Sequence, residues 1–328
     1  MQYRRGVLLM RLKISGSHSR FGYLAASLKK VLTFQPKSCP ACWSGATLRL
    51  KTKHLITSLR LCTSCRLMFR YPKDDGGGNF AFYPHPYREN HTPLPDSEEL
   101  GLLLENNFSN TGLDFSLYLK VMQALAIKPR MKVLDFGCSW GYGTYQLCQA
   151  GYDAVGFEIR KPQAQFGQKC LGLTIFRDPL ETATVFMRTF DLILASHVLE
   201  HLPYLHGVFE WLEGLMKPGA LLIAFCPNGN LERARNGAQI HQLWGQKRPL
   251  LLDASFLQTK FAQLGWTSRF ASSPYDLNRI SRWPEEDSDP APLLGEELLA
   301  VAWKPKSLTP SFSSPRPPFK AISSPPGL

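Results

Sequence analysis

The stretch Val133-Leu-Asp-Phe-Gly-Cys-Ser-Trp-Gly-Tyr-Gly143 decides the reading of the fold. A hydrophobic strand ends at Asp135. A turn carrying Gly137, Gly141 and Gly143 follows, and a helix begins after it. Glycine lets a backbone approach a ligand closely, and a helix N-terminus attracts an anion. A dinucleotide site would read G-x-G-x-x-G. The spacing here is G-x-x-x-G-x-G with an acid two residues before the first glycine, which disfavours NAD. Glu158 closes the next strand, 21 residues beyond Gly137. A carboxylate there is placed to accept both ribose hydroxyls of a nucleoside.

Outward from this turn, strands and helices alternate. Expected strands are Lys132–Phe136, Ala154–Glu158, Leu173–Phe176, Phe190–Ala195, Ala220–Cys226, Thr267–Ala271 and Glu297–Trp303. Expected helices are Gly141–Ala150, Lys161–Cys170, Leu180–Met187, Tyr204–Met216 and Asp253–Leu264. Leu113, Leu117, Val121, Met122 and Leu125 recur at helical spacing before Pro129, which adds a helix ahead of the first strand. Strands apolar on both faces belong in a parallel sheet covered by helices. The fold class is therefore α/β, a doubly wound, mostly parallel sheet over residues 112–304. Residues 74–111 open with three glycines and hold Pro84, Pro86, Pro93 and Pro95, which reads as a connector with little regular structure. Beyond Lys304 the chain is rich in Pro and Ser, the composition of a disordered tail over 305–328.

The net charge of +12 is unevenly placed. Residues 1–73 hold fifteen of the 38 Lys and Arg, and all 26 acids lie beyond them. The basic excess therefore marks an attached module, a basic segment over 1–36 with a short helix around Phe21–Leu32, followed by a second element over 37–73. Eight cysteines in 328 residues are too few for a disulfide scaffold, and no apolar run approaches a membrane span. These features point to a cytoplasmic protein. An organelle transit peptide and a start assigned too far upstream are the alternatives for the acid-free N-terminus.

The glycine turn resembles the first motif of class I S-adenosylmethionine-dependent methyltransferases, D-x-G-C-G-x-G. Phe190-Asp-Leu-Ile-Leu-Ala-Ser-His-Val-Leu-Glu-His-Leu202 resembles the H-V-L-E-H segment of the same superfamily, and Pro218-Gly219 its K-P-G-G turn. The resemblance covers roughly Gly112–Lys304 and implies a Rossmann-like sheet of seven strands with the last antiparallel. It implies S-adenosyl-L-methionine as cofactor. Asp135, Gly137, Gly141 and Gly143 would surround its methionine part, Glu158 its ribose, and Asp178 would lie near the adenine. Ser139 stands where the family usually has glycine, and Trp140 beside it would shield the sulfonium.

Cys39-x-x-Cys42 and Cys62-x-x-Cys65 are separated by nineteen residues. Two such knuckles give an all-sulfur tetrahedral site with no open position, which selects a structural zinc. Two disulfides or free thiols are the alternatives. Cys62-Thr-Ser-Cys-Arg-Leu-Met-Phe-Arg-Tyr-Pro72 resembles the C-x-x-C-G-L-x-F-x-x-P stretch of zinc ribbons that precede certain methyltransferases, sugar C-methyltransferases among them. Arg66 replaces the glycine of that pattern.

Methyl transfer needs mainly alignment of nucleophile and methyl, and sometimes a base. His197 and His201 follow the fourth strand at the carboxyl edge, where open sheets bind ligands. His241 lies in the polar stretch after the fifth strand. Each is a candidate base, and Glu200 and His201 could equally bond loops. Tyr83 and Tyr87 resemble tyrosines that follow the ribbon in related enzymes and would close over the cofactor. The expected partner is a small-molecule or carbohydrate-type acceptor that an anionic group would suit. Methylation of RNA or protein by way of the basic ribbon, and a cofactor-fold module without turnover, are the alternatives.

Overall fold

The computed structural model describes residues 27–32, 35–73, 92–232, 240–285 and 292–306. Most of the basic segment, Tyr83, Tyr87 and the tail from 307 lie outside the described residues, as does the first part of the connector.

Among the described residues eleven strands form two sheets: β1 (Thr47–Lys53), β2 (Thr57–Cys62), β3 (Met68–Tyr71), β4 (Lys132–Phe136), β5 (Asp153–Phe157), β6 (Ile175–Phe176), β7 (Phe190–Ser196), β8 (Met216–Pro227), β9 (Leu250–Leu251), β10 (Thr267–Ser272) and β11 (Glu297–Trp303). The larger sheet has the order β10-β11-β8-β7-β4-β5-β6. β4 pairs parallel with β5 and β7, and β11 inserts antiparallel between β8 and β10. This is the seven-stranded, doubly wound, mostly parallel sheet that the sequence predicts, with strand order reversing between β4 and β7. The alternation of side chains explains its two covered faces. Leu134, Phe136, Val155, Phe157, Ile193 and Ala224 fill one core, while Val133, Ala154, Leu192, Leu194, Ile223 and Val301 fill the other.

The helices fall near their expected places, at Ser116–Ala124, Tyr142–Gln149, Lys161–Cys170, Pro179–Phe186, Val208–Leu215 and Ala254–Gln263. The helix expected from Tyr204 starts only at Val208, because Gly207 takes φ +77° at its N-cap. β8 begins at Met216 rather than Ala220, so Pro218-Gly219 lies within a strand whose register shifts there. The connector is not wholly irregular. Ser97–Glu105 is helical, fixed by a capping box in which Asp96 accepts from the N–H of Glu98 and Glu99 and Glu99 returns a bond to Asp96. Leu103 and Phe108 bury this segment against Trp140.

The smaller sheet runs β1-β2-β3-β9. Its fourth strand comes from the chain after β8, with Met68 opposite Leu251 and Phe69 opposite Leu250. Leu67 and Phe69 are fully buried in the same core as Leu205, Leu250 and Phe209. The N–H groups of Leu205 and His206 both donate to the Pro40 carbonyl, at 3.0 and 3.2 Å. The four-cysteine element is thus built into the core of the large sheet rather than attached beside it.

Candidate functional site

The turn after β4 holds three residues at positive φ, Gly137 (+80°), Ser139 (+52°) and Gly141 (+86°). A Cβ on Gly137 would meet Val198 at 2.3 Å, and one on Gly141 would meet Leu173 at 2.5 Å. Both positions therefore need glycine on conformational and steric grounds. Gly143 has a different reason. It lies in the first turn of the helix, where a Cβ would strike the Phe115 ring at 2.2 Å, so it serves packing. The helix Tyr142–Gln149 has no side-chain cap at its N-terminus, which leaves its positive end open to an anion.

Two acids flank the turn. Asp135 is buried and accepts from the Thr144 hydroxyl at 2.7 Å. Burial, the largest influence, pushes its carboxyl up to about 6 against the pull of those bonds. Glu158 is 9% exposed and accepts from the N–H of Ser139 (3.1 Å) and Arg160 (2.8 Å). Burial raises its carboxyl too. The Ser139 hydroxyl beside it is buried with no partner among the described residues. An uncapped helix end, two desolvated carboxylates and an orphaned hydroxyl on one turn fit a ligand carrying an anionic group and sugar hydroxyls. Trp140 is fully buried among Phe108, Tyr142 and Phe166, so it is a core residue rather than a sulfonium shield. Asp178 is exposed and caps the helix Pro179–Phe186, with Oδ1 accepting from the N–H of Leu180 and Glu181 at 2.8 Å each.

At the end of β7 lies a second group of polar side chains. His197, at φ +51°, places Nε2 2.7 Å from Glu297 and Nδ1 3.3 Å from Glu200. Burial lowers its pKa, but the bonds and charges of the two glutamates outweigh this and lift it to about 9. The ring is an imidazolium at neutral pH, which unfits it as a base. Tyr275 donates to the other Glu297 oxygen at 2.5 Å. Glu297 is held below the usual carboxylate range: burial raises it, and the bonds from His197 and Tyr275 override that. Burial keeps the phenols of Tyr118 and Tyr275 protonated well above their ordinary range. Glu297 and both tyrosines were not singled out from the sequence, since Glu297 reaches this edge only because β11 runs antiparallel. His201 meets the Lys247 carbonyl at 2.6 Å and joins two loops. His241 falls in the short helix Ile240–Leu243, and its side chain lies outside the described residues.

The four sulfurs of Cys39, Cys42, Cys62 and Cys65 lie within 4.8 Å of one another. Cys39 and Cys65 approach to 3.5 Å, and Cys42 and Cys62 to 3.6 Å. Zinc–sulfur bonds of about 2.3 Å in a tetrahedron put sulfurs roughly 3.8 Å apart, so the four thiols fit that ion. The knuckles mirror each other. The Trp43 N–H donates to the Cys39 carbonyl and the Arg66 N–H to the Cys62 carbonyl, and both residues take positive φ, +61° and +71°. Arg66 therefore occupies a conformation that glycine would hold without strain.

Residues 112–268 match a protein family described as "Methyltransferase domain". A curated relative, a probable fatty acid methyltransferase of Mycobacterium tuberculosis, is 26% identical over 125 residues, or 33% of this chain and 27% of that protein. The chain thus spans about a quarter of that relative's length. A solved SAM-dependent methyltransferase from Archaeoglobus fulgidus is 16% identical, covering 62% of this chain and 99% of that one at a TM-score of 0.42. The plantazolicin methyltransferase BpumL, solved with SAH, is 13% identical and covers 64% and 92% at a TM-score of 0.43.

Proposed function

With residues 112–268 forming a methyltransferase domain, we propose that the enzyme takes S-adenosylmethionine at the turn after β4 and transfers its methyl to a small-molecule acceptor beside the carboxyl ends of β7 and β8. The observation that carries this reading is the pairing of Asp135 and Glu158 across one positive-φ turn. Glu158, fixed by two backbone N–H groups, keeps lone pairs for the ribose hydroxyls. The N-terminus of the helix Tyr142–Gln149 would hold the methionine carboxylate, and Asp135 would hold the ammonium group. The bound cofactor supplies a methyl already activated by positive sulfur.

Little is then asked of the protein except alignment. The His197 imidazolium is spent on two glutamates, and the phenols of Tyr118 and Tyr275 keep their protons. These groups orient an acceptor by hydrogen bonds; none of them takes its proton at neutral pH. His241 is the remaining candidate base. The acceptor class is proposed as a small or carbohydrate-type molecule, in keeping with the small-molecule name of the curated relative. Zinc on Cys39, Cys42, Cys62 and Cys65 is proposed as a structural ion, because four protein sulfurs leave no position for a substrate.

The test is transfer of a labelled methyl group by the purified chain to nucleotide sugars, fatty acids and total RNA in parallel. Label should enter one of the small acceptors. Label confined to RNA or to protein would sink the acceptor class while leaving the cofactor reading intact. Replacement of His241 by Ala should lower turnover about 10²–10⁴-fold if it is the base. Full turnover in that variant would leave alignment as the whole of catalysis.

A further inference from the structure

Three cations surround a cavity of about 530 Å³ on the small sheet, far from the cofactor turn in sequence and composed of other residues. Lys37, Arg49 and Arg60 line it together with Ser58, Thr52 and Tyr71. Arg49 and Arg60 stand directly opposite each other on β1 and β2, and Ser58 pairs with both Thr52 and Tyr71. Like charges placed opposite on neighbouring strands repel. No acid lies nearby in sequence, since the first 73 residues contain none. Among the described residues Lys37, Arg49 and Arg60 form no ion pair. Arg60 is fixed in place, with Nε and Nη2 donating to the side chain and carbonyl of Thr47 at 3.0 and 2.9 Å. The fold thus keeps an uncompensated pair of guanidiniums at the wall of a cavity.

Val31, Pro36, Ile56 and the exposed Leu55 add apolar surface to the lining of the cavity. Its volume falls within the range of small-molecule pockets, about 300–1,000 Å³. We infer that this cavity binds an organic phosphate, with the phosphate group between Arg49, Arg60 and Lys37 and the carbon body against the apolar lining. Guanidinium groups are suited to this by their planar fork of donors. A nucleic acid is the less fitting occupant. The one aromatic ring in the cavity, Tyr71, is buried with its hydroxyl on the Gln35 carbonyl and offers no face for stacking bases.

The experiment uses the full zinc-loaded chain, with the cofactor turn saturated by S-adenosylhomocysteine, and inorganic pyrophosphate as the probe. Calorimetry at physiological salt should show saturable binding. Arg49→Glu should weaken it at least about tenfold, as expected for loss and reversal of one charge-assisted contact. Lys37→Glu, at an exposed position outside the strands, should do the same and guards against misfolding of the first variant. S-adenosylhomocysteine affinity should be unchanged in both, so a failure of the cofactor reading is seen separately. Absent or unsaturable pyrophosphate binding, or equal binding in wild type and both variants, overturns the proposal. So does a single-stranded RNA that binds through Arg49 and that pyrophosphate fails to displace.

Discussion

Two tight turns of this protein solve the same problem in different ways. The turn after β4 and the paired cysteine knuckles each force a residue other than glycine into positive φ, Ser139 in one and Arg66 in the other. Each also gathers groups that resist ionising together. At the β4 turn the burial of Asp135 and Glu158 is offset in part by Thr144 and by backbone N–H groups. At the knuckles the sulfurs face mainly one another, and the Cys42 thiol is pushed up to about 11, chiefly by burial. Under the proposed cofactor and zinc, the β4 turn has its charges met by the protein itself, whereas the knuckles would hold thiolates only with a cation beside them. One site should be a binding site on a finished fold, and the other part of the folding reaction.

The largest expected effect tests the second half of that contrast. Wild-type protein should carry one zinc per chain by elemental analysis, and Cys62→Ser should carry none. Zinc-finger peptides gain an apparent 10–16 kcal/mol, roughly, from their ion, comparable to the whole stability of a domain. Because Leu67 and Phe69 lie in the common core, the melting temperature of the entire chain should fall. A large sheet that melts unchanged would separate the two sheets and contradict the shared core.

Next in size is Glu158→Ala. It should weaken S-adenosylhomocysteine by about 1.5–3 kcal/mol through loss of charge-assisted bonds, with the unfolding transition intact. Equal affinity by calorimetry would remove Glu158 from the site. Asp135→Asn sharpens the same half. A carboxyl raised from 3.8 to about 6 in the folded state costs stability when ionised. Taken alone, Asp135 stabilises the fold as pH falls from about 7 towards 4. The Asn variant should then be more stable than wild type by up to about 3 kcal/mol at pH 8 and no more stable near pH 4. Denaturant titrations at the two pH values check this; a destabilised variant at pH 8 would mean that the Thr144 bond outweighs burial. The smallest effect is Arg66→Gly, expected to stabilise the zinc-bound chain by about 1 kcal/mol through relief of the left-handed backbone. No gain would mean that the arginine side chain offsets its strain.

What could be read from sequence was what is local. The turn, its two acids and the cysteine spacing lie within short windows, and each forms where its pattern placed it. Glu297 joins His197 across 100 residues of chain, and no periodicity announces such a contact. β9 is two leucines long, too short for any pattern, yet it decides that the ribbon is part of the core. Gly143 and Trp140 were legible as motif positions but not as packing, because Phe115 and Phe108 come from segments before the sheet. The capping box at Asp96 and Glu99 was available to inspection, though proline and glycine around it masked a helix.

The pairing of β3 with β9 has a consequence for synthesis. A ribosome releases the four cysteines and β1–β3 long before Leu250. At about 5–20 residues per second, roughly 10–35 seconds pass between the emergence of Tyr71 and that of Leu251. Through that interval the edge of β3, with Met68 and Phe69, has no partner strand. An unpaired apolar edge invites pairing with other chains. The nascent protein thus carries a three-stranded fragment whose apolar β3 edge stays open until its own distant residues close it.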